Sequence, residues 1–212
     1  MKRIYMDNSA TTPVDPRVFR AMKLYLTEEF GNPSSVHRMG QAAGSGVETA
    51  REQVARLINA SPDELIFTSG GTEADNLAIL GLLETMPRGQ NIITSAIDHH
   101  AVLDTFNHLG KIGYDVTVLP VNLYGMVEPE TLEKALKANT VLVSIMHANN
   151  EVGTIQPIKQ LASIAHQGQA IFHTDAVQSV GRIPVDVKDL DVDMLSCSAH
   201  KFYGPKGQVA SI

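Results

Sequence analysis

Segments of two periodicities alternate along most of this chain, joined by short links, and that alternation constrains the fold more than any other feature. "SVHRMGQAAGSGVETAREQVARLI" (35–58) places Val36, Met39, Ala43, Val47, Ala50, Val54 and Leu57 at steps of three or four, the stripe of an amphipathic helix. "SPDEL" offers a turn, and "LIFTSGG" predicts a short buried strand ending in glycines. Helices follow in "TEADNLAILGLLETM", with Thr72 placed to cap or begin it, in "HAVLDTFNHLGKIG", closed by Gly113, in "PETLEKALK", opened by Pro129, and in "IKQLASIAHQ", ended by Gly168. Strands are predicted in "NIITSAI", "DVTVLPV", "TVLVSIMHA", "AIFHTDAV" and "DMLSCSAH". The strands are continuous apolar runs rather than in-out alternations. That combination predicts an α/β fold, a mostly parallel central sheet with helices on both faces. "DNSATTPVDP" is built from turn formers, so residues 1–15 are expected as an N-terminal arm and 16–212 as one large domain.

Composition narrows the partners. The formal net charge is −6 and no basic run stands out, which argues against binding nucleic acid through its phosphates. No stretch approaches the length of a membrane-spanning helix, and "MKRIYMDNSATTP" lacks the apolar core of a secretory signal. The single cysteine, Cys197, forms no internal disulfide framework, and a cytoplasmic, reducing setting is expected. His99 and His100 are adjacent, and there is no C-x-x-C or H-E-x-x-H pattern, so no metal site is expected.

In such a sheet, ligands gather at the carboxyl ends of the strands. Four of those ends carry unusual residues. "TSGGTE" runs a strand through glycines into a helix, where the Gly71 and Thr72 amides and the Thr72 hydroxyl could hold a phosphate. Its plainer reading is a tight turn with a threonine cap. In "DHHAV", His99 falls between a strand and a helix, placed to stack on a flat ligand or to move a proton, or merely to cap the helix. In "HTDAVQS", Asp175 ends an apolar strand, where a carboxylate needs a positive partner, and Gln178 follows three residues later. In "SAHKFYGPKG", Lys201 follows Ser198 and His200 at the rim of the sheet, a candidate amine of lowered pKa able to form a Schiff base. Each feature alone has an ordinary structural explanation. Together they are the equipment for pyridoxal phosphate: a phosphate cradle, a stacking imidazole, a carboxylate for the ring nitrogen and a lysine for the aldehyde.

These motifs carry a resemblance. "YMDNSATTPVDPRV", "FGNPSS", "TSGGTEADNLAI", "DHHAVLDT", "MHANNEVGTIQPI", "HTDAVQSVG" and "SAHKFYGPKG" resemble, in order, the motifs of cysteine desulfurases of the NifS/IscS type, within the class V group of fold-type I pyridoxal-phosphate enzymes. The resemblance implies that Lys201 is the Schiff-base lysine and Asp175 the partner of the pyridinium nitrogen. It implies that His99 stacks on the ring and also moves protons. Asn150 and Gln178 look like contacts to the ring and its phenolic oxygen. Gly71, Thr72, Ser198 and His200 look like the phosphate cradle. The implied reaction removes sulfur from L-cysteine, leaving L-alanine and a persulfide on an enzyme cysteine, for iron–sulfur cluster assembly or thiolation.

A homodimer and sulfur-acceptor or scaffold proteins are the implied partners. Cys197, four residues before Lys201 and inside a predicted strand, does not match the family's sulfur-accepting cysteine, which lies beyond the lysine motif. The ending "GPKGQVASI" departs from the family's usual continuation. The chain is therefore expected to be the N-terminal part of a longer enzyme, without the C-terminal small domain and inactive alone. Alternatives are a selenocysteine lyase, another class V enzyme, or a non-catalytic remnant.

Overall fold

The computed structural model describes residues 3–207 and 209–212. Of the expected arm, Met1 and Lys2 lie outside the described residues, as does Gln208 in the divergent ending. The helices are α1 (Pro16–Thr27), α2 (Arg38–Ile58), α3 (Gly71–Glu84), α4 (His100–Lys111), α5 (Pro129–Ala135), α6 (Ile158–Gln167) and α7 (Val187–Leu190). The strands are β1 (Ile66–Thr68), β2 (Asn91–Ser95), β3 (Asp115–Leu119), β4 (Thr140–Ser144), β5 (Ile171–Asp175), β6 (Met194–Ser198) and β7 (Val209–Ser211). They form one sheet in the order β1-β7-β6-β5-β4-β2-β3. Six strands run the same way, and β7 alone runs against its neighbours β6 and β1.

Neighbouring residues of single strands show why the apolar runs are continuous. Ile92 and Leu142 pack with Ile79 of α3 and Val102 and Phe106 of α4. Ile93 and Val143, one residue along, pack on the opposite face with Leu132 of α5 and Leu161 of α6. A third cluster joins Ala55 and Ile58 of α2 to Leu195 and Cys197 of β6 and Ala210 of β7. Side chains alternate across a strand, so both faces of the inner strands are dry and both need apolar residues, whereas β1, expected as buried, lies at the sheet edge with Ile66 52% exposed.

The strands are shorter than their apolar runs. "TVLVSIMHA" is strand only to Ser144, and residues beyond it leave the ladder to make the site. "AIFHTDAV" ends at Asp175 and "DMLSCSAH" at Ser198. Thr72 does not cap α3. Gly70 holds the cap position, and Glu73 closes the turn by accepting from the Ser69 amide at 2.7 Å. α2 begins at Arg38, later than its apolar stripe, because the His37 Nδ1 accepts from the Gly40 amide at 3.3 Å. α1, opened by Asp15 and Pro16, is not evident from periodicity; none of its residues is buried. The strand edge at β3 leaves Val118 48% exposed, unlike the inner strands.

Candidate active site

The carboxyl ends of β1, β2, β4, β5 and β6 open on one cavity of about 580 Å³. All nine sequence-derived candidates line it: Gly71, Thr72, His99, Asn150, Asp175, Gln178, Ser198, His200 and Lys201. The geometry of a parallel sheet brings them together, since each follows a strand that ends at the same rim.

Gly71 and Thr72 form the first turn of α3, a 14-residue helix whose leading amides face the cavity mouth with the positive end of the helix dipole. A Cβ on Gly71 would come within 3.3 Å of Val177 Cγ2, so the backbone passes close there. Opposite stands Ser198, whose Oγ is buried and has no hydrogen-bond partner among the described residues. An unpartnered hydroxyl in a buried setting costs about 1–3 kcal/mol, and an anion in the cavity would satisfy it. Helix amides, this hydroxyl and His200 therefore suit a phosphate group.

His99 caps a helix and also lines the cavity. Its Nδ1 accepts from the Ala101 amide at 3.1 Å and caps α4, while its ring lines the cavity. With Nδ1 accepting, the proton of the neutral ring sits on Nε2. Burial, then the nearby charges of Lys201 and His100, lower the His99 pKa, so the ring is neutral near pH 7. His200 is lowered by burial and by Lys201 and Lys206, and its Nδ1 pairs with Thr11 Oγ1 at 3.0 Å.

Asp175 is 5% exposed at the end of β5. Burial pushes its carboxyl up to about 6, against the opposing pull of the Val177 amide at 2.9 Å and the Lys201 charge. Lys201 emerges from the 3-10 turn Ala199–Lys201 that follows β6. Burial, with the Arg182 charge, lowers its pKa, while Asp175 and Asp7 hold it up. An amine of lowered pKa offers more of the neutral, nucleophilic form.

The N-terminal segment closes the near side, which sequence reasoning missed. Lys201 Nζ donates to the Ser9 carbonyl at 2.6 Å and Gln178 Nε2 to the same oxygen at 2.9 Å. The Thr12 amide donates to the His200 carbonyl at 2.9 Å, and Arg182 Nη2 to the Asn8 carbonyl at 2.6 Å. Asp7, Ser9 and Ala10 thereby join the lining. Turn formers in "DNSATTP" signalled a loop but not where it folds back. Asp75 was missed as well. It lines the cavity from α3 and is 1% exposed, though in "TEADN" it looks like an ordinary helix-surface acid.

Cys197 points away from all of this. Its neighbours Ser196 and Ser198 share one face of β6, and Cys197 packs in the apolar cluster on the other. Burial pushes its thiol up to about 11, and its Sγ reaches only the Ala210 carbonyl, at 3.5 Å.

Comparison with known proteins places this chain in a family. The chain matches the family described as aminotransferase class-V over residues 4–210. The chain belongs to the aminotransferase class-V family. Among curated class-V relatives, "Cysteine desulfurase IscS" of Dictyoglomus turgidum is 54% identical over 209 residues, 98% of this chain and 53% of the relative. Among solved structures, a "NifS-like protein" superposes with a TM-score of 0.96 at 46% identity, over 99% of this chain and 58% of the other. "SspA in complex with cysteine" superposes at 0.95 and 42% identity, covering 98% and 60%. The chain spans about half the length of the curated relatives it matches. No helix among the described residues is long and apolar enough to cross a membrane, and those residues hold no cluster of three or more metal-ligating groups.

Proposed function

We propose that this chain carries the cofactor half of a cysteine desulfurase, binding pyridoxal 5'-phosphate and taking L-cysteine as substrate. The observation that carries the reading is the cavity itself: a lysine of lowered pKa, a buried carboxylate and an anion-suited helix terminus converge on it. The residues fit the cofactor. The Gly71 and Thr72 amides, Ser198 Oγ and His200 would hold its phosphate, and Ser198 Oγ otherwise stands unpartnered. Asp175 would pair with the ring nitrogen, Asn150 and Gln178 would contact the ring and its phenolic oxygen, and Lys201 would bond to its aldehyde. When bound, the cofactor supplies an electron sink for the bonds around the substrate's α-carbon.

The protein's own part is binding, orientation and proton traffic. Asp175 keeps a negative charge against the ring nitrogen above about pH 6. Neutral His99 presents a flat face for stacking and can exchange a proton at Nε2. Lys201, once the substrate's amine had displaced it from the aldehyde, would be a free amine in the cavity able to take the substrate's α-proton. Supporting the sulfur chemistry are the names of the class-V relatives and a structural neighbour, SspA, described in complex with cysteine. The sulfur-accepting thiol is not Cys197, which is buried, protonated and turned from the cavity. As it is the sequence's one cysteine, turnover by these 212 residues alone is not expected.

A homodimer, delivery of sulfur to acceptor or scaffold proteins in iron–sulfur cluster assembly, and a cytoplasmic setting complete the proposal. They rest on the likeness to IscS and on a sequence with a single cysteine and so no internal disulfide. The test is an absorbance titration with pyridoxal phosphate, on the native chain and on Lys201→Ala, followed by L-cysteine. A visible band that requires Lys201 and shifts on adding L-cysteine supports the proposal. A band indifferent to the substitution, or to cysteine, refutes it.

A further inference from the structure

Beneath the cavity floor lies a row of buried polar groups that the proposed chemistry does not use. His173 of β5 is wholly buried, with Nδ1 2.8 Å from Ser144 Oγ of β4 and Nε2 3.1 Å from Ser196 Oγ of β6. Two hydroxyls satisfy a neutral imidazole as one donor and one acceptor, and burial pushes the His173 pKa down to about 4. Asp75 Oδ1 approaches His173 Nε2 only to 3.8 Å, beyond hydrogen-bond reach, and finds no hydrogen-bond partner among the described residues. The neighbouring imidazole carries no charge, so Asp75 has no cation there to hold it ionised.

The two acids of the cavity are therefore unequally placed. Asp175 accepts the Val177 amide at 2.9 Å and feels the Lys201 charge. Asp75 faces the like charges of Asp175 and Asp98, with the Ser196 hydroxyl as the one offsetting contact. Lys201, His99, His200 and Asp7 are the remaining titratable groups around the cavity, with Glu151 at its edge. We propose that Asp75 is a positioning residue, a neutral carboxyl that holds the one proton of the Asp75–Asp175 pair so that Asp175 alone presents a negative charge to the ring nitrogen. Two carboxyls in one low-dielectric site do not both ionise readily, and the proton settles on the one with no cation beside it. Burial first, then the Asp175 and Asp98 charges, hold Asp75 well above the ordinary carboxyl range.

The role in catalysis rests on the cofactor reading, but its test does not need the cofactor. Carboxyl-labelled aspartate is followed by carbon NMR in the cofactor-free chain, in the native form and as Asp75→Asn, with Asp175→Asn to assign the Asp175 signal. At pH 8 the native chain should show one aspartate in the protonated position, and that signal should vanish in Asp75→Asn. Replacing a neutral acid by a neutral amide should move the Asp175 midpoint by less than about half a unit. A larger fall marks the removal of a like charge and overturns the proposal, because a purely structural Asp75 could be ionised. Absence of a protonated aspartate at pH 8 in the native chain overturns it too, and that result stands even where Asp75→Asn fails to fold. Failure of the cofactor reading is seen separately, as the missing visible band.

Discussion

Lys201 Nζ lies 2.6 Å from the carbonyl oxygen of Ser9, a residue 192 positions earlier in the chain. The same oxygen accepts from Gln178, and Arg182 reaches the carbonyl of Asn8 beside it. The amine proposed to bind the cofactor thus also anchors the N-terminal segment over the cavity. Arg182→Ala should loosen that segment without unfolding the sheet, since each exposed contact contributes about 1 kcal/mol. Hydrogen exchange should rise several-fold at residues 8–12 and stay unchanged in β4 and β5.

Asp98 anchors the floor from another direction. Its carboxylate accepts from the Ser95 amide at 2.9 Å and the Met146 amide at 2.7 Å, and it is 5% exposed. The Thr94 and Ser95 hydroxyls donate to it too, at 3.1 and 2.5 Å, so removing it strands four buried donors and Asp98→Ala should destabilise the fold by about 3 kcal/mol. Urea unfolding measures the loss as a lower midpoint with little change in slope.

These contacts mark what was legible in the sequence. α6 is found where its apolar spacing and Gly168 put it, and the four strand ends carry the residues singled out for them. Those features are local: a period, a terminator, a polar residue at the end of an apolar run. The rest depends on partners far along the chain. β7 is a strand because it fits between β1 and β6, Ala210 opposite both Phe67 and Cys197. Asp75 is buried because α3 packs on β5 and β6, and nothing in "TEADN" distinguishes it from a solvated helix acid. The fold-back of residues 8–12 is specified by Gln178, Arg182 and Lys201, which lie well over 150 residues away.

Ser198 separates binding from stability. Its Oγ is buried and unpartnered, so Ser198→Ala should leave the cofactor-free chain as stable as before, or slightly more so. It should nonetheless weaken pyridoxal phosphate binding by about ten- to a hundredfold, the value of one hydrogen bond to a charged group. Thermal melting and an absorbance titration read the two effects independently.

Cofactor affinity should fall with acid. Burial holds the Asp175 carboxyl at about 6 in the cofactor-free chain, and the proposed pairing with the ring nitrogen needs its ionised form. As pH drops through that value Asp175 takes a proton and the proposed pairing would be lost, so affinity should fall about tenfold from pH 7 to pH 5. Asp175→Asn should bind more weakly at pH 7 and lose that part of the dependence. Titrations at five pH values check both.

The most direct measurement is to add pyridoxal phosphate to the chain, reduce with borohydride and map the labelled peptides by mass spectrometry. The account predicts one dominant label, on Lys201, lost in Lys201→Ala while the fold persists. Label spread over surface lysines, or absent from Lys201, would contradict it.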